Sequence, residues 1–316
     1  MRAVVIESFG GPEVLEVAET EVPEPGRGQL RIRVEAAAVN PVDTATSAGF
    51  MAEVGARPDT HQPRLGLGWD VAGTVDALGA GTGELTGLAP GDSVIGVSTR
   101  LDLPAKTHAE FVVLDAESVT RAPEGLDPVH AATLPLNGLT ALQSLDLLAL
   151  EPGESVLVTG AAGAVGGYVV QLAVLRGLRV VALAGAEDEA LVRGLGAELF
   201  AARTAAPSEA VRALVPGGVD GVIDAAVIGG RALEAVRDGG ALVSLIPGTE
   251  PVALRGTRTT GVQIRAHRGQ LAQVATLARL GVLSTRVAQT YPLAEAAKAY
   301  ARLGEGGLRG RVVLVP

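Results

Sequence analysis

A turn of small residues at Gly160–Gly167 is the strongest chemical signal in the chain. The sequence SVLVTGAAGAVGGYVVQLA predicts a buried strand, then this turn, then a helix that begins near Ala164. Such a turn lets the backbone approach a pyrophosphate, whose charge meets the amides and the dipole of the helix N-terminus. Against the pattern G-x-G-x-x-G, the match runs from Ala161 through Gly163 to Gly166, so alanine replaces the first glycine. The pattern predicts a dinucleotide site, and a turn that binds nothing is the alternative.

Other sites that use phosphate or a nucleophile do not match. No Gly-Lys-Ser/Thr follows the turn, which excludes a P-loop, and the chain has no G-x-S-x-G nucleophile elbow. A short-chain dehydrogenase would need a tyrosine with a lysine four residues later. Tyr168, Tyr291 and Tyr300 have no such lysine.

The end of the second predicted strand bears on the choice of nucleotide. An acid there selects NAD through the ribose hydroxyls, but this strand ends in Ala184-Gly185, which favours NADPH. The acidic run that begins at Glu187 would repel a 2′-phosphate if it faced it, and Arg203 is the candidate basic partner. A solvated surface charge is the alternative for Arg203, and NADH is the alternative cofactor. The residues assigned to the cofactor here are Gly160, Ala161, Ala162, Gly163, Ala164, Val165, Gly166, Ala184, Gly185 and Arg203.

The elements that must position this turn fall into two regions. The first third has short strand candidates separated by Gly/Pro turns, which indicates a small barrel or sandwich. From about residue 120, apolar strands alternate with helices, as in a parallel sheet that is covered on both faces. In that region RALEAVRDGG is predicted as a helix and GVQIRA as an apolar strand, and the final RVVLVP is predicted as a strand that returns to the first domain.

Composition narrows the function classes. The net charge of −9 argues against nucleic acid as a partner, and the absence of cysteine excludes thiolate ligands and a catalytic thiol. No apolar stretch is long enough to span a bilayer, and the first residues lack the features of a signal peptide. We expect a cytoplasmic protein that acts on a small molecule. The presence of only two lysines, Lys106 and Lys298, is interpreted as a composition bias.

Five further segments accompany the glycine-rich turn GAAGAVGG: AAAVNPVDT, LGWDVAGTVDALG, GDSVIG, HAEFVV and AATLPLNGLTALQSL. With them the chain resembles the medium-chain dehydrogenase/reductase superfamily, and more narrowly its quinone oxidoreductase (zeta-crystallin-like) branch. The resemblance covers nearly the whole chain. It implies an α/β fold with a GroES-like β-rich catalytic domain at residues 1–120 and 283–316 and a Rossmann doubly wound parallel-sheet domain at 121–282.

The chain departs from the zinc-binding members of that superfamily. Those members have a cysteine ligand where this chain has Asn40–Asp43, and Gly-His-Glu where it has Gly68-Trp69-Asp70. The four histidines (His61, His108, His130, His267) show no metal-ligand spacing. We therefore predict no metal site, and without Zn²⁺ there is no Lewis acid to polarise an alcohol oxygen.

The resemblance also assigns further residues. It implies that Asn40 lines the pocket near the nicotinamide, that Thr140 and Ser244, Leu245 and Ile246 contact the cofactor, and that Arg265 lies near it. Trp69 is a candidate pocket wall, and Asp43 and His108 are candidate proton relays. The alternatives are a turn at Asn40-Pro41, a helix cap at Thr140 and a core position for Trp69. Between Thr44 and Gly66, where relatives often carry tyrosines, the only aromatic residue is Phe50.

These observations predict an NADPH-dependent reductase of quinones or α,β-unsaturated carbonyls. Conjugation spreads the developing charge onto an oxygen that hydrogen bonds can stabilise. One alternative is a biosynthetic enoyl reductase that acts on a carrier-bound or polyketide-like intermediate. Another is a nucleotide-binding redox sensor without turnover. We expect a homodimer, formed by edge-to-edge pairing of the GVQIRA strand.

Overall fold

A computed structural model describes residues 1–53, 64–101, 103–203 and 206–316, which divide into two compact units. Unit 1 comprises Met1–Leu136 and Arg265–Pro316, and unit 2 comprises Asn137–Ile264. The sequence predicts boundaries at 120/121 and 282/283, so segments 121–136 and 265–282 group differently from that expectation.

The physical reason for the second boundary is a set of contacts at Arg268. Its backbone amide donates to Glu117 Oε1 at 3.1 Å, and its guanidinium donates to the carbonyl oxygens of Leu85 and Thr86. These contacts tie the helix that begins at Arg268 to unit 1.

Unit 1 is the β-rich region predicted from the first third of the chain. Its strands are β1 (Arg2–Ile6), β2 (Glu16–Glu19), β3 (Gln29–Val39), β4 (Leu65–Gly66), β5 (Asp70–Leu78), β6 (Ser93–Val97), β7 (Phe111–Asp115), β8 (Val119–Arg121), β15 (Val287–Pro292) and β16 (Arg311–Val315). Its helices are α1 (Pro41–Ser47), α2 (Phe50–Glu53), α3 (Thr82–Thr86), α4 (Pro128–Ala131), α10 (Arg268–Arg279) and α11 (Ala296–Gly304), together with the first turn of α5 (Pro135–Leu148).

The long strand β3 organises unit 1. The larger sheet has the order β15-β16-β3-β5-β6-β8, with β7 also paired to β3, and a smaller sheet has the order β2-β1-β4. The first part of β3 alternates between buried and more exposed residues, whereas its last four residues are all buried. The pairing of β16 with β3 confirms that the final strand returns to the first region. As a result, the buried end of β3 delivers Asn40 into the interior.

Unit 2 is a parallel sheet with helices, as predicted. Its strands are β9 (Ser155–Thr159), β10 (Arg179–Ala184), β11 (Leu199–Ala202), β12 (Val219–Asp224), β13 (Val236–Ser244) and β14 (Arg258–Gly261), and its helices beyond α5 are α6 (Ala164–Leu175), α7 (Glu189–Gly194), α8 (Pro207–Leu214) and α9 (Gly230–Leu233). The sheet order is β11-β10-β9-β12-β13-β14. Because the chain runs outward from β9 in one direction and then from β12 in the other, the strand order switches between β9 and β12.

The predicted helix RALEAVRDGG is wrong over most of its length. Only Gly230–Leu233 is helical, and the chain then enters β13 at Val236. The pairing of β12 with β13 is irregular at this point, and the Arg237 guanidinium donates to Asp220 at 2.6 Å. A Cβ at Gly240 would lie 2.6 Å from the Asp220 carbonyl oxygen. The backbones of β12 and β13 therefore approach too closely here for any residue larger than glycine. Tertiary pairing overrides the local helix pattern here.

The predicted strand GVQIRA is also misplaced. The edge strand is Arg258–Gly261, so only the first residue of the predicted segment belongs to it. Val262 still donates to the Ser244 carbonyl oxygen at 3.0 Å, after which the chain leaves the sheet. The β-branched threonines before Gly261 form the strand instead, which fits their strand propensity.

None of the helices within the described ranges is long and apolar enough to cross a membrane.

Candidate functional site

The glycine-rich turn of unit 2 has the predicted strand–turn–helix geometry. Strand β9 ends at Thr159, Gly160 adopts a φ of 60°, and α6 begins at Ala164 with Gly163 as its N-cap. A Cβ at Gly166 would lie 2.2 Å from the Gly160 carbonyl oxygen, so only glycine permits this approach of helix to turn. The residues of the turn therefore fit a bound pyrophosphate, with small side chains and helix amides beside it.

The other residues of the predicted turn line the same structure. Ala161 and Ala162 are buried, and the Ala161 amide donates to Leu183 of β10 at 3.2 Å. Ala164 and Val165 form the half-buried first turn of α6. The turn is thus anchored to the neighbouring strand.

An acid and a base both flank the end of β10. The Arg203 amide donates to the Ala184 carbonyl oxygen at 2.6 Å, and the Arg203 side chain is exposed. The Glu187 carboxylate lies over Gly185, because its Oε1 is 2.5 Å from the position that a Gly185 Cβ would occupy. Arg203 is therefore near the predicted position, and its contact with a 2′-phosphate stays a prediction.

The end of β13 lies at the same edge of the sheet as the turn. Ser244 is paired with Asp224 of β12, which is in turn paired with Thr159 of β9. The buried Ser244 hydroxyl lies 2.7 Å from that of Thr249. Leu245 is half-buried and Ile246 is exposed. The structure therefore brings Ser244–Ile246 and the glycine-rich turn to one edge.

The two remaining cofactor candidates, Thr140 and Arg265, belong to α5 and to the second segment of unit 1. Thr140 is buried in the second turn of α5, within unit 2. Arg265 is exposed and begins the second segment of unit 1, so it does not group with the dinucleotide fold as expected.

In unit 1, three chain segments and one distant helix bring polar side chains together in a buried cluster. We call it the buried polar cluster, and its members are Asn40, Asp43, Trp69, Asp70, Lys106, His108 and Tyr300. The sequence predicts site roles for Asn40, Asp43, Trp69 and His108, but not for Asp70, Lys106 or Tyr300.

Asn40 is fixed by two aspartates. It is the N-cap of α1, where Pro41 occupies the first helical position. The backbone N–H of Asn40 donates to Asp43 Oδ2 at 2.7 Å. Its side-chain Nδ2 donates to Asp70 Oδ2 at 2.8 Å. This helix start explains the Asn-Pro-x-Asp spacing, since the third helical residue reaches back to the cap.

Asp70 connects Asn40 to the start of α5. Its other carboxylate oxygen accepts from the Leu136 amide at 2.6 Å. Burial raises the pKa of Asp70 from 3.8 to about 7, although the hydrogen bonds from Leu136 and Asn40 oppose the shift. The pKa of Asp70 therefore lies near neutral pH.

Asp43 is fully buried. Burial raises its pKa, whereas nearby His108 and Lys106 act in the opposite direction. Within the described ranges, its Oδ1 atom has no hydrogen-bond partner. Asp43 thus combines a structural oxygen, which binds Asn40, with one that is buried beside basic groups.

His108 joins two elements through its ring. Its Nε2 lies 3.2 Å from the carbonyl oxygen of Ala38 in β3, and its Nδ1 lies 3.0 Å from the Tyr300 hydroxyl in α11. Because a carbonyl oxygen only accepts, Nε2 carries the ring proton and Tyr300 donates to Nδ1. Burial lowers the pKa of His108 and raises the pKa of Tyr300 well above its usual value. At neutral pH the pair is uncharged.

Lys106 and Trp69 pack together in the interior. The Lys106 Nζ lies 4.7 Å from the centroid of the Trp69 ring, which is a cation–π geometry. Both side chains are buried. Only the rarity of lysine in the sequence distinguishes Lys106, and that rarity alone indicates a composition bias.

The buried polar cluster does not fit a zinc ion. Within the described ranges, no three His, Cys, Asp or Glu side chains are arranged to hold a metal. Both nitrogens of His108 are hydrogen-bonded, and the Asn40 amide is bonded to the Asp70 carboxylate. His130 binds Asp127 and His267 caps α10, whereas His61 lies outside the described residues.

Two protein-family models match this chain, one in its N-terminal and one in its C-terminal half. The model described as alcohol dehydrogenase GroES-like domain matches residues 26–124, and the model described as zinc-binding dehydrogenase matches residues 195–314. The structure of the quinone oxidoreductase from Coxiella burnetii has a TM-score of 0.85 and 30% identity, and the match covers 100% of this chain and 99% of that one.

Two curated relatives are longer than this chain. The mycocerosic acid synthase-like polyketide synthase of Mycobacterium tuberculosis is 32% identical over 98% of this chain, which spans 15% of that protein. The NADPH-dependent alkenal/one oxidoreductase of Arabidopsis thaliana is 34% identical over 81% of this chain, and the match covers 65% of that protein.

Proposed function

Since the chain belongs to the medium-chain dehydrogenase/reductase superfamily, in its quinone oxidoreductase branch, we propose that it is an NADPH-dependent reductase of quinones or α,β-unsaturated carbonyls that works without zinc. Its relatives support an NAD(P)-dependent oxidoreductase. We propose the acceptor class, the preference for NADPH and the independence from zinc.

One observation carries the proposal: Asn40 and Asp70 are hydrogen-bonded to each other at 2.8 Å. These residues stand in the two segments where zinc-binding members of the superfamily have ligands. Both oxygens of the buried Asp70 carboxylate accept hydrogen bonds, from Asn40 and from Leu136, which disfavours a metal ion there. The protein is then left with hydrogen bonds to stabilise charge. Conjugated acceptors suit such a site, because their developing charge resides on an oxygen.

When bound, the reduced nicotinamide supplies the hydride. The chain's own residues bind the dinucleotide at the glycine-rich turn and hold the Asn40 carboxamide in one orientation. The carboxamide Nδ2 donates to Asp70 Oδ2 at 2.8 Å and to the Ala38 carbonyl oxygen at 3.4 Å, and these hydrogen bonds oppose its rotation. A fixed amide is worth more to catalysis than a mobile one, since it costs no reorganisation during the reaction.

The hydrogen bonds favour a positioning role for His108 rather than the proton relay considered above. Both of its ring nitrogens are occupied, and the Tyr300 hydroxyl retains its proton because its pKa is so high. The pair ties α11 to β3 two residues before Asn40. Asp43 stays the candidate relay, with one oxygen uncommitted within the described ranges.

The preference for NADPH rests on the absence of an acid at Ala184 and Gly185 and on Arg203, whose backbone lies beside the end of β10. The Glu187 carboxylate, which lies over Gly185, opposes this preference. The relative from Arabidopsis thaliana is named as NADPH-dependent.

An absorbance assay at 340 nm tests the proposal. The purified chain is given NADPH or NADH with a panel of quinones and enones, before and after treatment with a chelator. We expect oxidation of NADPH with at least one conjugated acceptor and no loss of rate after chelation. Tight nucleotide binding without turnover of any acceptor would favour a redox sensor instead.

A second candidate function is enoyl reduction on a carrier-bound intermediate. It is favoured by the polyketide synthase relative, whose match covers 98% of this chain. Turnover of thioester enones without turnover of free quinones would distinguish this function from the first.

We also propose a homodimer. Strand β14 is an edge of the unit 2 sheet, and the preceding Val252 and Leu254 are exposed apolar residues. Edge strands with apolar neighbours are available for pairing. Light scattering that gives the mass of one chain would contradict this proposal.

A further inference from the structure

The loop after β12 contains a strained residue. Val227 has a φ of 51°, a left-handed backbone conformation that β-branched residues rarely adopt. Such strain costs free energy and persists only where the surrounding structure enforces it. Neighbouring groups must therefore hold residues 225–229 in place.

The loop is held by a buried pair at the ends of two adjacent strands. The Thr159 hydroxyl donates to Asp224 Oδ1 at 2.6 Å, and both side chains are fully buried. The same pair then receives three loop amides: Ala226 N on Thr159 Oγ1 at 2.9 Å, Ile228 N on Asp224 Oδ1 at 3.1 Å, and Gly229 N on Asp224 Oδ2 at 2.8 Å. Thr159 and Asp224 thus fix the loop on both sides of Val227.

One amide of the loop is left over. The Ala225 N–H donates to the Ile223 carbonyl oxygen at 3.2 Å. The amides of Ala226, Ile228 and Gly229 bind Thr159 and Asp224, as described above. Within the part of the chain that the structure describes, the Val227 N–H makes no hydrogen bond. A half-buried amide without an acceptor among the described residues is a donor available to a ligand.

This donor lies beside the glycine-rich turn. A Cβ on Gly160 would be 3.4 Å from the Ala226 nitrogen, so the loop packs directly against the turn. The strand order switches between β9 and β12, and the turn and the loop follow these two strands. Ligands of open parallel sheets bind at such a switch, outside the carboxyl ends of the strands.

We propose that Thr159 and Asp224 are positioning residues, which hold the loop so that the Val227 N–H donates to an oxygen of the dinucleotide, either of the pyrophosphate or of the adjoining ribose. The inference rests on the proposed nicotinamide cofactor. The strain at Val227 then has a function, because a relaxed loop would turn the Val227 N–H away from the ligand.

Three substitutions test the buried pair by nucleotide affinity. Thr159→Val removes the hydroxyl at nearly constant volume, Thr159→Ser retains it, and Asp224→Asn removes one acceptor. We expect the Kd for NADPH, measured by fluorescence titration, to rise about tenfold in T159V and D224N and less than threefold in T159S, since one positioned hydrogen bond is worth about this factor.

The opposite end of the same two strands provides a matched control. There the Ser155 hydroxyl donates to Asp220 at 2.7 Å, in a second Ser/Thr–Asp pair between β9 and β12. Ser155→Ala should lower the melting temperature as T159V does, but leave the Kd unchanged. A loss of affinity that merely follows stability would appear in both variants and would overturn the inference.

Val227→Gly tests the strain itself. Glycine adopts this conformation without penalty, so we expect the ligand-free melting temperature to stay the same or to rise. Affinity should nevertheless fall severalfold, because glycine also permits the loop to leave the binding conformation. Lower stability together with unchanged affinity would contradict a functional strain.

Fragments of the cofactor identify the oxygen class. ADP-ribose contains the pyrophosphate and the second ribose, whereas AMP contains neither. We expect T159V and D224N to weaken ADP-ribose about tenfold and to leave AMP unchanged. An equal loss for AMP, or no loss for either fragment, overturns the inference while the proposed function stands. Failure of the unsubstituted chain to bind any nicotinamide dinucleotide overturns both.

Discussion

Unit 2 builds its candidate site from backbone atoms and small residues, whereas unit 1 builds its own from buried ionisable side chains. In unit 2, Gly160, Gly163 and Gly166 create space for a charged ligand, and the helix amides supply the donors. In unit 1, Asp43, Asp70 and His108 are buried with altered pKa values. A larger side chain in the turn should therefore disrupt the site of unit 2. Loss of a hydrogen-bond partner or a change of pH should disrupt the site of unit 1.

The largest effect that separates the two sites is expected from Gly166→Ala. Its Cβ would lie 2.2 Å from the Gly160 carbonyl oxygen, so the turn must shift. We expect the Kd for NADPH to rise about 100-fold, or ~2.8 kcal/mol. Gly194→Ala, whose Cβ would meet nothing within 4 Å, is the control. Equal affinities for the two folded variants would contradict the close approach that we describe.

The next effect tests the partner dependence of unit 1. Tyr300→Phe removes the donor to His108 Nδ1 and leaves a buried nitrogen without a partner. We expect the free energy of unfolding to fall by about 1–3 kcal/mol in urea denaturation. Tyr291→Phe changes a half-buried tyrosine of the same unit and should stay within about 0.5 kcal/mol of the unsubstituted protein. If the two substitutions cost the same, the His108–Tyr300 bond is not a significant stabiliser.

A more gradual effect is expected from pH, because it is spread over several pH units. The pKa of Asp70 is about 7 in the folded chain and about 3.9 when unfolded, so the folded state binds more protons between these values. The contribution of Asp70 to stability is therefore largest below about pH 4 and is lost as pH rises to 7, by at most about 1.4 kcal/mol per pH unit. Asp70→Asn should remove this slope. Parallel stability curves for the two proteins between pH 4.5 and 8 would contradict the raised pKa.

The smallest effect concerns the one charge that we assign to the cofactor in unit 2. Arg203→Gln should raise the KM for NADPH about fivefold and leave that for NADH unchanged, because a single exposed pair contributes ~1 kcal/mol or less. Arg193→Gln, which removes an arginine that is paired with Glu189, is the matched control. Equal changes for both nucleotides would show that Arg203 does not contact the 2′-phosphate.

The same contrast explains which features could be predicted from the sequence. The turn of unit 2 is local, so Gly160–Gly166 and its strand and helix follow from spacing alone. The cluster of unit 1 is not local: His108 and Tyr300 are separated by 192 positions. No periodicity of α11 indicates that Tyr300 binds a histidine, and Asp70 acquires its role only through burial.

Two errors in unit 2 have a similar origin. RALEAVRDGG has a helical pattern, but the pairing of β12 with β13 and the Arg237–Asp220 contact impose a strand. The strained loop at Val227 was also missed, because the sequence Ala-Ala-Val-Ile-Gly carries no sign of a left-handed valine. Backbone strain is enforced by distant partners, here Thr159.

Deuterium transfer tests the central claim most directly. Chelator-treated protein is given an α,β-unsaturated ketone and NADPH that carries deuterium at the transferable position of C4. We predict that the saturated ketone contains one deuterium at its β-carbon, with solvent hydrogen at the α-carbon, and that added zinc does not raise the rate. A product without deuterium at the β-carbon, or turnover that requires zinc, would contradict the account.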